Sequence, residues 1–363
     1  MIISKILNSK IFNKSRIYAF LIALLAFPVL VSAQDKAENS GNKPFDPKPL
    51  IFEHIGDSHM WHILGKNAIA LPVILYTDKG LEVFSAENIA EEEGADKKIY
   101  QGKYYSYISE GDKIKVADAT GKVDEAASKK VWDFSITRNV ASMWMGMIIL
   151  IIVFISMTSA YRKRDGQAPK GMQSFLEPVV LFVRDDVAIP NIGVKHKKYM
   201  PLLLTIFFFI LINNLLGLIP IFPGGFNLTG NIAVTLTLSV IVMVVTNFSG
   251  NKYYWKHIFL PEIPFWLYPI MIPVELIGII SKPFALMIRL FANITAGHII
   301  VLSLISLIYI FKSTWMATVS VPFVVFMDCI ELLVAFLQAF IFTMLAALFI
   351  GMATDDHGHD VAH

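Results

Sequence analysis

The chain has 363 residues, 55% of them hydrophobic and only 17% charged, with a formal net charge of +2 and a mean hydropathy of +0.58. That balance excludes an ordinary soluble domain and points to an integral membrane protein. The small net charge, with basic residues scattered rather than clustered among aromatics, gives no pull toward nucleic acid, and the single Cys329, inside an apolar run, excludes an intramolecular disulfide and argues against redox chemistry.

Residues 1–33 carry Lys5, Lys10, Lys14 and Arg16, then the apolar run 17–31, then Val31-Ser32-Ala33. This is the order of a secretory signal peptide, and an apolar run of about 15 residues is short for an anchor that needs about 20. Residues 34–138 turn polar, with Glu91-Glu92-Glu93 and short alternating pieces such as Lys103-Tyr-Tyr-Ser-Tyr-Ile. They read as a small extracytoplasmic domain of mixed or irregular structure. His54, His59 and His62 come without cysteine or strong ligand spacing, so no metal site is expected there.

Residues 139–354 are a different material. Spans are expected at 140–160, 200–222 and 232–248, followed by two longer apolar segments at 273–311 and 319–353 that meet at Lys312-Ser313-Thr314. The predicted fold is an all-α polytopic membrane protein with five crossings, the last two forming an antiparallel hairpin. Segments 175–189 and 253–268 mix charged or aromatic residues with apolar ones and suit the membrane interface. Arg162, Lys163, Arg164, Lys170, Arg184, Lys195, Lys197 and Lys198 all fall between the first two spans, whereas 219–231 holds no Lys or Arg. That loop is therefore predicted to be cytoplasmic, with the N-terminal domain outside and the tail 355–363 inside. No internal repeat is visible, which weighs against a transporter built from two related halves.

Charged side chains deep in a bilayer are costly, about 2.5 to 3.5 kcal/mol each on insertion scales, and are functional candidates by default. The charged and polar candidates here are Glu275, Lys282, Arg289, Asn293 and His298 in the fourth segment, with Asp328, Glu331 and Gln338 in the fifth. Spacings of seven put Glu275, Lys282 and Arg289 on one helix stripe, and Glu331 shares a stripe with Gln338. Folding the two segments about Lys312–Thr314 sets Arg289 level with Gln338, and His298 level with Glu331 about 13 Å nearer the outer surface. The nine residues from Arg289 to His298 turn the helix by about half a revolution. Lys282 fits either this path or the cytoplasmic interface.

The run Ser281-Lys-Pro-Phe-Ala-Leu-Met-Ile-Arg-Leu-Phe-Ala-Asn-Ile-Thr-Ala-Gly-His298 resembles the signature of subunit a of rotary ATP synthases. So do Glu331-Leu-Leu-Val-Ala-Phe-Leu-Gln-Ala-Phe-Ile-Phe342 and Asn213-Asn-Leu-Leu-Gly-Leu-Ile-Pro220. The resemblance covers about 140–351, while the domain before it departs from the shorter family pattern. It implies that Arg289 is the arginine facing a rotating c-ring, that Gln338 is its neighbour on the last helix, and that Asn293 and Glu275 line the ion path. It also implies that His298 and Glu331 form a proton-relaying pair. The implied partners are the c-ring, the subunit b peripheral stalk, lipid, and protons ahead of sodium. The implied location is the bacterial inner membrane, with no cofactor and no catalysis by the subunit itself. A stand-alone secondary transporter or channel is the competing reading, since it too uses buried charge; a membrane metalloprotease would need a His-Glu-x-x-His set that this chain lacks.

Overall fold

The structure is a computed structural model that describes residues 56–64, 67–89, 98–110, 113–118, 122–163, 167–219, 225, 228–260, 264–311 and 314–355. The expected signal peptide, His54, Glu91-Glu92-Glu93, Arg164, Lys312, Ser313 and tail residues 356–363 lie outside the described residues.

The N-terminal part is built from short antiparallel strands. β1 (Met60–Leu64) pairs with β2 (Asn67–Ala70). β3 (Pro72–Thr77) and β4 (Gly80–Ser85) form a hairpin whose turn ends on Gly80 at φ 136°, a conformation that favours glycine. β5 (Tyr100–Gln101), β6 (Ser106–Glu110) and β7 (Lys113–Ala117) make a separate sheet. The one-turn helix α1 (Glu125–Ser128) is capped by the Asp124 carboxylate, which accepts from the Ala126 and Ala127 amides. β8 (Trp132–Asp133) then adds to the free edge of β3, giving the order β4-β3-β8. Strand alternation buries Val73, Leu75 and Phe84 against Tyr107 and Val116. The Tyr107 hydroxyl and Glu82 Oε2 are buried there without a hydrogen-bond partner among the described residues. Burial first, and then the neighbouring Glu82 carboxylate, hold the Tyr107 hydroxyl well above its ordinary pKa.

The remainder is helical: α2 (Arg138–Lys163), α3 (Met172–Phe182), a π-helical segment (Val183–Ala188), α4 (Ile189–Ile192), α5 (His196–Leu218), α6 (Ile232–Phe248), α7 (Lys252–Phe259), α8 (Tyr268–Phe311) and α9 (Thr314–Thr354). Among the described residues, four helical stretches are long and apolar enough to cross a membrane, Arg138–Lys163, Met172–Leu218, Tyr268–Phe311 and Trp315–Thr354. The pair α6 and α7 makes a fifth if it counts as one span, bent by 101°. The protein is thus a mostly helical, multi-pass membrane protein, and the five expected crossings match the upper count. One local and one long-range contact accompany the bend. A Cβ at Gly250 would lie 2.6 Å from the Tyr254 ring, and the next amide, Asn251 N–H, donates to Ala353 of α9 rather than back along α6.

Chain contacts divide the molecule into two compact units, one containing residues 300–329 and the other residues 50–299 with 330–363. Within the larger unit the apolar core draws on α3, the π-helical segment, α5, α8 and α9, through Leu176, Val183, Phe207, Leu286, Phe342 and Ile350. Gly351 brings α9 against the backbone of α4, where an added Cβ would overlap the Asn191 carbonyl oxygen. Two clamps define opposite ends of this helix set. At one end the β-domain is fixed to α2, with Arg138 N–H donating to Ser58 O (2.8 Å) and Asn139 N–H to Asp57 Oδ1 (3.1 Å). Trp61 packs there beside Leu228, Met143 and Leu216. At the other end Lys195 Nζ (2.8 Å) and Asn251 Nδ2 (2.9 Å) donate to Thr354 O, satisfying a carbonyl that the end of α9 leaves open.

Candidate ion-translocation site

The polar residues of the two long helices do not form one pocket. The structure brings His298 of α8 and Glu331 of α9 together, Nδ1 to Oε2 3.5 Å, with side chains 20% and 11% exposed. The room for this comes from Gly297, where an added Cβ would stand 2.5 Å from Glu331 Oε1. Glu331 Oε1 and the Thr295 hydroxyl, one turn before His298, are buried and have no hydrogen-bond partner among the described residues. Such orphaned polar atoms beside a His–Glu pair are able to accept, donate or pass a proton.

Arg289 lies elsewhere on α8. It is exposed, and among the described residues it makes no hydrogen bond or ion pair. Ala285, Ala292, Asn293 and Ala296 are exposed on the same stripe. Gln338 is 3% exposed, and no hydrogen bond joins it to Arg289. The contact of His298 with Glu331 nevertheless keeps Gln338, seven residues along α9, close in depth to Arg289, nine residues back along α8. The offset of two residues is about 3 Å.

Glu275, Lys282 and Arg289 all lie on α8 but in different surroundings, the first two half-buried and Arg289 exposed. Lys282 Nζ stands 5.5 Å over the Phe349 ring of α9, whereas Glu275 is half-buried nearer the start of α8. A straight helix drifts about 20° per seven residues, so fourteen residues turn the ends of such a stripe toward different neighbours, and Pro283 lies within the same stretch.

Sequence reasoning missed Gly297 and Thr295, whose roles depend on a side chain from another helix; the small residue next to His298 was the available signal. It also missed the interhelical brace at Asn214, which accepts from Thr229 Oγ1 (2.6 Å) and donates to Ala335 O of α9 (3.4 Å), one turn before Gln338.

These features define a multi-pass membrane protein with ionisable and polar groups distributed along two long helices, one cation turned outward and a His–Glu pair turned inward. Residues 140–351 match the family described as ATP synthase A chain, and residues 50–134 match one described as Domain of unknown function (DUF8433). The chain is 48% identical over 239 residues to ATP synthase subunit a of Chloroherpeton thalassium, covering 64% of this chain and 71% of that one. To ATP synthase subunit a 2 of Chlorobaculum tepidum it is 50% identical over 242 residues, covering 63% and 67%. To ATP synthase subunit a of Myxococcus xanthus it is 44% identical over 241 residues, covering 63% and 78%. The chain belongs to the ATP synthase A chain family.

Proposed function

We propose that this chain is the stator subunit of a rotary ATP synthase, providing two proton half-channels and the arginine that couples proton passage to rotation of a c-ring. The observation that carries this reading is Arg289, an exposed guanidinium without a described partner, well inside a 44-residue apolar helix. An arginine stays charged at any accessible pH, and an unpaired charge in hydrocarbon is costly. Its counter-charge therefore comes from another chain, and a ring carboxylate arriving by rotation supplies it. The small residues Ala285, Ala292 and Ala296 on that face support close approach of a neighbouring helix. A ring carboxylate must be neutral to face lipid, and beside Arg289 it ionises. Passage from one half-channel to the other then requires the ring to turn. His298 and Glu331 relay protons in the outer half-channel, Gln338 supports the arginine level from α9, and Asn293 and Glu275 line the path. Each charge crossing 100 mV supplies about 2.3 kcal/mol, enough to drive the cycle.

In this reading residues 1–33 direct export, 34–138 form a periplasmic domain, 139–354 sit in the inner membrane beside the c-ring and subunit b, and 355–363 are cytoplasmic. The test is ATP-driven proton pumping by reconstituted complexes carrying Arg289→Gln. Pumping is expected to vanish while the complex remains assembled; retained coupled pumping would overturn the assignment.

A further inference from the structure

The sheet β4-β3-β8 is apolar on both faces. Its inner face carries Val73, Leu75 and Phe84 into the domain core. On the outer face, register aligns Leu81, Tyr76 and Trp132 in one row. Val83, Ile74 and Phe134 form the next row, with Phe134 N–H bonded to Ile74 O. Tyr76, Leu81, Val83, Trp132 and Phe134 are each more than half exposed. A contiguous apolar patch of this kind on an exported-type sheet marks a docking surface rather than a random scatter of side chains.

We propose that this face rests on the lipid leaflet on its own side of the membrane, with its aromatic side chains in the headgroup layer. The chain itself brings the sheet to that surface. After β8 only Phe134–Thr137 precede α2, and they continue the pairing with β3, Phe134 N–H to Ile74 O (2.9 Å) and Ile136 N–H to Pro72 O (3.1 Å). The β-domain is also anchored on the helix ends through Trp61, Leu228 and Met143. From the Pro72–Ile136 level the two rows stand two and four residues along the strands, about 7 and 13 Å. A sheet inclined over the bilayer brings both rows into a headgroup layer about 5–8 Å deep. Trp and Tyr are the side chains that favour this layer, presenting an apolar ring and a polar edge. Lys129 and Lys130, both exposed and just before Trp132, are placed to meet lipid phosphates.

The test uses the full-length chain in the assembled complex, with Cys329→Ser to remove the native thiol and single cysteines introduced as Leu81→Cys, Val83→Cys or, as an aqueous control, Glu87→Cys. These positions are exposed, so the substitutions leave the core untouched. Each is labelled with an environment-sensitive fluorophore and reconstituted in phosphatidylcholine–phosphatidylglycerol vesicles. Labels at positions 81 and 83 are expected to shift to the blue, to resist iodide and to be quenched several-fold more than the control by shallow nitroxide-bearing lipid. Iodide access equal to the control would overturn the proposal. Protection from iodide without nitroxide quenching would overturn it as well, by showing that protein covers the face.

Discussion

Replacing Gly297 by alanine perturbs the His298–Glu331 pair without deleting either member. The new Cβ would lie 2.5 Å from Glu331 Oε1, 3.0 Å from Cδ and 3.2 Å from Cγ, and ordinary contact begins at 3.4 Å, so the carboxylate must retreat by 0.9 Å, from 2.5 to 3.4 Å. That retreat is away from α8, so the 3.5 Å contact of Oε2 with His298 Nδ1 is expected to open. The clashing atoms are the far end of a flexible side chain, so the fold absorbs the change for about 1 kcal/mol of off-rotamer cost. The lost charge-assisted contact is worth about 1.5–3 kcal/mol, which corresponds to a fall in proton transfer through the pair of about tenfold or more. Passive proton conduction through the reconstituted membrane sector, driven by a potassium diffusion potential, measures this, with membrane-bound subunit quantified in parallel. Flux equal to wild type with normal assembly would refute the idea that the proton path runs through this contact.

Gly351→Ala should act quite differently, because the obstructing atom is the Asn191 backbone carbonyl; loss of the subunit from the membrane is expected, read by immunoblot of washed membranes. Thr229→Val keeps the side-chain shape but leaves the buried Asn214 Oδ1 without its donor; the purified complex should lose about 1 kcal/mol of stability, seen as a lower melting temperature. Tyr107→Phe removes a hydroxyl that has no hydrogen-bond partner among the described residues, so stability near neutral pH should change by less than about 1 kcal/mol. The wild-type tyrosine titrates above its ordinary value in the folded domain, so its stability is fully present below about pH 10 and declines as pH rises beyond it, by about 1.4 kcal/mol per pH unit. In denaturant titrations of the full chain followed by near-ultraviolet circular dichroism, the phenylalanine variant should lack that part of the alkaline decline.

Much of the membrane architecture was legible because bilayers impose long apolar runs whatever the sequence details. The spacing of His298 and Glu331 about the Lys312–Thr314 joint was enough to foresee that they would meet, since two helices of equal rise turn sequence distance directly into depth. Helix starts were less legible: α5 begins at His196 and α8 at Tyr268, each four or five residues before the expected apolar run, because polar and aromatic interfacial residues extend a helix past its hydrophobic stretch. The 101° bend between α6 and α7 depends on Asn251 bonding to Ala353, a contact about one hundred residues away that no local pattern announces. Periodicity of seven put Glu275, Lys282 and Arg289 on one stripe, but it could not announce the Phe349 ring of α9 beside Lys282, a neighbour supplied by another helix. In the β-domain the alternation around residues 103–108 gave a strand, but it begins only at Ser106, after a bend at Lys103–Tyr105. The outward row of Tyr76 and Trp132 could not be foreseen, because pairing of β3 with β8 joins residues more than fifty positions apart.

The central claim is that the Arg289 face of α8 meets a moving ring. Its most direct test is a cysteine in place of Ala292, exposed and one turn from Arg289, in a Cys329→Ser chain, paired with a cysteine beside the ion-binding carboxylate of the ring subunit. Oxidation is expected to form a disulfide between the two chains and to stop ATP-driven pumping, with activity restored by reductant. Failure to cross-link in an assembled, pumping complex, or continued pumping with the cross-link in place, would contradict the account.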